Sequence, residues 1–145
     1  TGTPFDGIEA NFYNNIDATN SQGVVAANYT TALNLLANKD EFQYNVLSVP
    51  GVYKDDYSST VTTLINNCQE RGDAIAVVDM VAYAKNIGDV TTEASGIDSS
   101  YAATYWPWVQ TLCPDLGNQC WVPASTLIPA VYAFTDASSA ALQTT

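Results

Sequence analysis

The chain has 145 residues and a net charge of −11 at pH 7, with only four basic residues, so binding to nucleic-acid phosphates or to an anionic membrane is disfavoured. It contains no histidine, which removes Ser-His-Asp and Cys-His nucleophile systems and His-ligated metal sites. The three cysteines lack a C-x-x-C spacing, and we therefore expect reduced thiols, no cofactor and no metal. No apolar run is long enough for membrane insertion, and we expect the sequence to be a portion of a longer protein.

Residues 1–27 are rich in Gly, Asn, Thr and Asp, a composition that predicts irregular structure. Apolar residues at helical spacing then predict a helix over about residues 29–37, with Asn28 as its cap. We therefore divide the chain into an irregular and helical segment over 1–43 and a folded domain over 44–136.

A strand–helix–strand unit is the clearest prediction for the first half of the folded domain. Residues 44–49 form a β-prone run that should stop at Pro50-Gly51. A helix that is capped by Ser58 or Ser59 and ends near Gly72 follows.

The continuous apolar run over residues 74–79 is typical of a strand buried on both faces. The predicted βαβ crossover should be right-handed. The fold class is therefore α/β, with α+β as the alternative: a small, mostly parallel sheet flanked by helices.

The remaining elements are shorter. Residues 82–98 are polar and read as a loop with at most one helical turn, and residues 101–103 read as a short helix capped by Ser99 or Ser100. Residues 105–112 predict a strand. A turn over 114–118 should return it as a β-hairpin.

A last helix should begin near Ser125, where Pro129 is tolerated because it falls in the first turn. Residues 137–145 should fray.

Two polar features have both a functional and a structural interpretation. Asp56, Ser58 and Thr60 give an Asp-x-Ser-x-Thr spacing that resembles a Mg²⁺-binding loop of adhesive α/β domains, although a helix N-terminus collects the same residues. Asp79 ends a parallel strand, where α/β enzymes place functional groups; we interpret it as a turn or cap residue. Since no catalytic constellation accompanies these residues, we expect no enzyme activity.

Four segments in a fixed order carry a resemblance to a known family. The first two are Leu47-Ser48-Val49-Pro50-Gly51-Val52 and the helix end Cys68-Gln69-Glu70-Arg71-Gly72-Asp73 with its following strand. The third is Ser100-Tyr101-Ala102-Ala103-Thr104-Tyr105-Trp106-Pro107-Trp108-Val109-Gln110. The fourth is Trp121-Val122-Pro123-Ala124-Ser125, leading to Ala130-Val131-Tyr132-Ala133-Phe134-Thr135-Asp136. Together they resemble the tail sheath proteins of contractile-tail bacteriophages. Ile128-Pro129 departs from the small residues usual in that family before the last segment.

The resemblance implies a structural subunit of the virion that polymerises as a helix around a tail tube above a baseplate, after assembly in the host cytoplasm. Contraction of that polymer would drive the tube through the host envelope. The alternative function is a metal-dependent adhesive or ligand-binding α/β domain. The isolated fragment should be monomeric.

The family-motif residues are candidates for structural or interface roles. They are Pro50, Gly51, Tyr101, Tyr105, Trp106, Pro107, Trp108, Trp121, Pro123, Tyr132 and Asp136. Large aromatic residues dominate interface hot spots, but alternate positions of a strand also fill cores. We expect core packing, with Trp106 and Trp108 on one strand face and Tyr105 on the other.

Overall fold

The computed structural model describes residues 25–115 and 117–143, so the irregular structure predicted for the first 24 residues lies outside the described part. The helices and strands have the following bounds: α1 Ala26–Leu36, β1 Val46–Tyr53, α2 Lys54–Arg71, β2 Ile75–Asp79, α3 Ile87–Ala94, β3 Ala102–Thr104, β4 Val109–Cys113, β5 Asn118–Val122 and α4 Ile128–Gln143. A 3-10 turn, Ala124–Thr126, precedes α4. None of these helices has the length and hydropathy that crossing a bilayer would require.

The described strands form a parallel sheet in the order β1-β2-β3 and a separate antiparallel hairpin of β4 and β5. Helix α2 connects β1 to β2, and α3 connects β2 to β3, so two βαβ units share the central strand. The predicted α/β class, the small parallel sheet and the hairpin are therefore confirmed.

Strand β1 does not stop at its Pro-Gly dipeptide, as we expected from the sequence. It continues through Gly51, whose φ of 91° is left-handed and suits a residue without Cβ. The register shifts here: Ser48 pairs with Val77 and Tyr53 with Asp79, so β1 uses three more residues than β2 over the same interval. An odd insertion reverses the alternation of side chains, which turns Tyr53 away from the helices.

The main core lies on the helix side of the sheet. Side chains alternate along a strand, and Ala76 and Val78 of β2 accordingly face this core together with Val52 of β1. The helices contribute the residues that cover them: Leu33 from α1, Val61, Leu64, Ile65 and Cys68 from α2, and Val90 from α3.

A buried arginine closes the end of this core. The side chain of Arg71 donates hydrogen bonds to the carbonyl of Leu36 at 3.0 Å and to that of Phe42 at 2.9 Å. It also pairs with Asp73 at 2.9 Å and lies 4.1 Å from the centre of the Tyr44 ring. One guanidinium therefore bonds to backbone carbonyls at the end of α1 and in the following loop, and to the Asp73 carboxylate just after α2.

The opposite face of the sheet carries a smaller cluster of Tyr53, Trp108 and Cys120. Partly buried Tyr83, Trp121 and Val122 pack around it. These contacts dock the hairpin on the face of the sheet that the helices leave open.

Several predicted boundaries are wrong for local reasons. Helix α1 begins at Ala26 after Val25, which makes no side-chain cap, so Asn28 is not the cap. Helix α2 begins at Lys54, directly after β1, which is earlier than the start that we predicted with Ser58 or Ser59 as the cap. A non-helical residue, Tyr57 (φ −129°, ψ 47°), interrupts the helix just before those serines.

The segment predicted as a loop contains α3. Asn86 accepts hydrogen bonds from the backbone of Gly88 and Asp89, and the Asp89 side chain accepts one from the Asn86 backbone. This capping box offsets the weak apolar pattern, which is why periodicity alone missed the helix.

The helix predicted over residues 101–103 is wrong, because Ala102–Thr104 is the third parallel strand. The strand predicted over 105–112 begins only at Val109, after an irregular segment with a cis Trp106–Pro107 bond. Helix α4 contains Pro129 in its first turn, as predicted, and reaches Gln143 where we expected a frayed tail.

Candidate functional site

Asp79 marks the place where a parallel sheet would present a catalytic group, at the carboxyl end of the central strand. Its carboxylate accepts a hydrogen bond from the Ser125 hydroxyl at 2.6 Å and another from the Ser125 backbone N–H at 3.3 Å. The backbone N–H of Gly51 in the β1 bulge is a third donor. The side chain thus links β1, β2 and the 3-10 turn. Asp79 and Ser125 are 46 positions apart in the sequence.

Burial dominates the electrostatics of this carboxylate. It raises the pKa of Asp79 above the usual value for an aspartate, and the hydrogen bonds from Ser125 and Gly51 oppose that increase. Burial likewise raises the pKa of the Tyr53 phenol, and the nearby charges of Asp79 and Asp56 act in the same direction. Both shifts follow from low solvent access to a polar group in a closed cluster.

The space beside Asp79 is small. A cavity of about 10 Å³ lies between Asp79, Trp106, Trp108 and Ala124, which is room for at most one water molecule. A carboxylate that is 4% exposed, bonded to the Ser125 hydroxyl and backbone N–H and beside so small a cavity is arranged to hold elements together.

The two tryptophans of the Trp-Pro-Trp segment have opposite environments. Trp108 is 9% exposed and its indole N–H donates to the Val81 carbonyl at 3.3 Å. Its ring packs 5.6 Å from Tyr53 and 5.5 Å from Tyr83, between ring centres. Trp106 is 43% exposed, so the prediction that both rings share one strand face is wrong.

An exposed aromatic corner lies between the sheet and α4. Tyr105 is exposed, and its hydroxyl hydrogen-bonds to that of Tyr132 on α4, with the ring centres 6.3 Å apart. Burial and this hydrogen bond raise the pKa of Tyr132 to about 12. The corner formed by Tyr105, Trp106 and Tyr132 joins α4 to the body of the protein.

The other motif residues are spread around the fold. Tyr101 precedes β3, packs on the main core and accepts a backbone hydrogen bond from Ala76 at 2.8 Å. Trp121 of β5 lies 5.8 Å from Tyr83 between ring centres, and Pro123 is buried before the 3-10 turn. Exposed positions are occupied by Pro50 in β1, Pro107 in the cis bond and Asp136 on α4.

The residues of the Mg²⁺-type alternative do not converge. Ser58 and Thr60 are two residues apart in a helix, about 200° around its axis. Ser58 is exposed, whereas the Thr60 hydroxyl is buried and lies 3.3 Å from that of Thr30 on α1. Within residues 25–115 and 117–143, no three His, Cys, Asp or Glu side chains are grouped as metal ligands.

The three cysteines are free thiols. Cys113 pairs with Asn118 and Cys120 with Thr111, so the two hairpin cysteines lie diagonally and are not directly opposite. Burial, with a smaller contribution from Cys113, raises the pKa of the Cys120 thiol.

Sequence reasoning missed Ser125 and Tyr83 and did not anticipate the role of Tyr53. A buried strand that ends in an acid requires donors, and this requirement was the available signal for a partner such as Ser125. No local pattern indicated that Tyr83, in a polar segment, packs between Trp108 and Trp121.

No model of a known protein family matches the chain, and neither a curated protein nor a solved structure matches it significantly. The resemblance to tail sheath proteins therefore depends on the quoted motifs and their order.

Proposed function

We propose that this protein is a structural subunit of a contractile phage tail sheath, which works by packing against copies of itself around a tail tube. The observation that carries the proposal is the use of Asp79. The acid at the catalytic position of the sheet is occupied by Ser125 and Gly51, so it fixes one element to another. A buried contact of this kind between elements suits a subunit that moves as a rigid body.

The docked hairpin supports the same function. Trp108 and Tyr53 join the hairpin to the sheet through buried aromatic contacts, which favours movement of the whole unit as one body. In a sheath, rigid subunits exchange neighbours between an extended and a contracted lattice. Contacts of a heterologous kind propagate as a helix, and a few kcal/mol per subunit would sum over the lattice to drive contraction.

The test is electron microscopy of the complete gene product that contains this sequence, expressed without other phage proteins. We expect hollow tubes of polymerised subunits. Assembly should be favoured by higher ionic strength, because added salt screens the repulsion between chains that each carry a charge of −11 over this region. Isolated particles at every salt and protein concentration would contradict the proposal.

A further inference from the structure

The outer side of α4 carries an apolar stripe of Leu127, which immediately precedes the helix, with Val131 and Phe134. These positions follow an i, i+4, i+7 spacing and therefore lie along one line of a helix. Their exposed fractions are 42%, 52% and 73%, whereas Ile128 and Tyr132 on the other side are partly buried. The α4 stripe is an apolar surface without a partner in the described part of the chain.

Charge is unevenly distributed along the sequence. Thirteen acidic and all four basic residues lie in positions 1–98, which gives a net charge of −9. The charged residues in positions 99–145 are Asp115 and Asp136, which give a net charge of −2. Asp136 is nine positions from Leu127, about 180° around the helix axis, so it does not lie on the α4 stripe. The exposed aromatic corner belongs to the same sparsely charged region.

We infer that the α4 stripe docks on the sparsely charged region over 99–138 of a second copy of this chain, an inference that rests on the proposed function. An apolar surface fits a partner surface that is also apolar and carries few charges. The region over 99–138 supplies such a surface, with Trp106 and Leu112 exposed. Positions 1–98 carry a net charge of −9 and positions 99–145 one of −2, so two copies meet with less repulsion through the sparsely charged region.

The size of the contact sets its strength. A helix of 16 residues is about 24 Å long, so its single exposed face lies at the small end of specific interfaces. Two copies should therefore associate weakly in isolation, so the fragment, which we expected from the sequence to be monomeric, should be monomeric only at low concentration. Repetition along a lattice would make the same contact effective.

The experiment is sedimentation velocity of the 145-residue chain from about 10 μM to about 1 mM, a range that brackets weak association. We expect the mean mass to rise with concentration, and to rise further in high salt as repulsion is screened. Val131→Asp and Phe134→Asp should each weaken association at least about tenfold, because each places an unpaired charge in the contact. Phe134→Ser is the milder variant.

Leu35→Asp is the matched control, since Leu35 is an exposed leucine on α1 (60%) outside the sparsely charged region. It should associate like the original chain, and circular dichroism should show all four variants folded, because each changed side chain is exposed. A monomer at every concentration, or equal effects of Leu35→Asp and Phe134→Asp, would overturn the inference. Tubes formed by a complete gene product carrying Phe134→Asp would refute this contact while leaving the proposed function intact.

Discussion

The two faces of the sheet are stabilised in different ways. On the helix side, α1, α2 and α3 enclose a continuous core, and Arg71 satisfies backbone carbonyls at its end. On the hairpin side, the buried cluster has only Tyr53, Trp108 and Cys120, with partly buried residues around it. The helix side resembles the interior of an ordinary domain, whereas the hairpin side depends on a few large rings.

This difference separates the main source of stability from the part of the sequence with few charges. The helix side accounts for most buried apolar side chains, so it dominates the hydrophobic contribution to stability. The hairpin side adds a rigid attachment and carries the sequence that is nearly free of charge. Since few side chains form the hairpin-side cluster, we expect removal of one of them to have the largest effect on the free energy of unfolding.

The largest expected effect is at Trp108. Trp108→Ala removes the ring that packs on Tyr53 and Tyr83, and should lower the free energy of unfolding by about 4 kcal/mol. Trp106→Ala is the matched control and should cost less, about 1–2 kcal/mol, because its ring is 43% exposed and buries less apolar area. Urea unfolding of both variants measures the difference. Equal losses would show that the hairpin-side cluster does not depend on Trp108.

A somewhat smaller loss is expected on the helix side. Arg71→Met keeps the aliphatic stem but leaves the part-buried carbonyl of Phe42 without its donor and that of Leu36 with only the Tyr44 hydroxyl, and should cost about 3 kcal/mol. Asp73→Asn should cost less than about 1 kcal/mol, because that side chain is half exposed and its ion pair is screened. Chemical denaturation of the two variants tests whether the carbonyl contacts outweigh the ion pair.

The smallest effect concerns pH. Burial raises the pKa of Asp79 in the folded state, so between its unfolded and folded pKa values the folded chain binds more protons than the unfolded chain. Stability from this group is therefore fully present below the usual aspartate pKa and is lost as pH rises through the raised one. The difference in unfolding free energy between the original chain and Asp79→Asn should fall as pH increases from about 3.9.

Subtracting the variant from the original chain removes the titration of the other carboxylates. Ser125→Ala serves as the opposite control, because losing the Ser125 hydroxyl donor should raise the pKa of Asp79 further and extend the slope to higher pH. A difference that rises with pH would mean that the hydrogen bonds outweigh burial.

The elements predicted correctly are those with a strong local signal. Continuous apolar residues predicted β2, and turn residues predicted the hairpin. Helical spacing predicted the body of α2, and Gly72, which has a φ of 74° in the structure, predicted its end. Helix α3 and strand β3 were missed because a capping box and a three-residue strand give little periodicity. Of the candidate site, Asp79 was identified as a structural residue but its donors were not.

The sequence by itself determined the α/β class, the acidic charge and its concentration before position 99, and the order of the sheath-like motifs, because composition and short-range periodicity are local properties. Only the tertiary structure decided which tryptophan is buried, which face Tyr53 occupies, and that Ser125 meets Asp79 from 46 positions away. These outcomes depend on the odd insertion in β1 and on the docking of the hairpin. Both bring distant residues together, so neither could be predicted from sequence spacing.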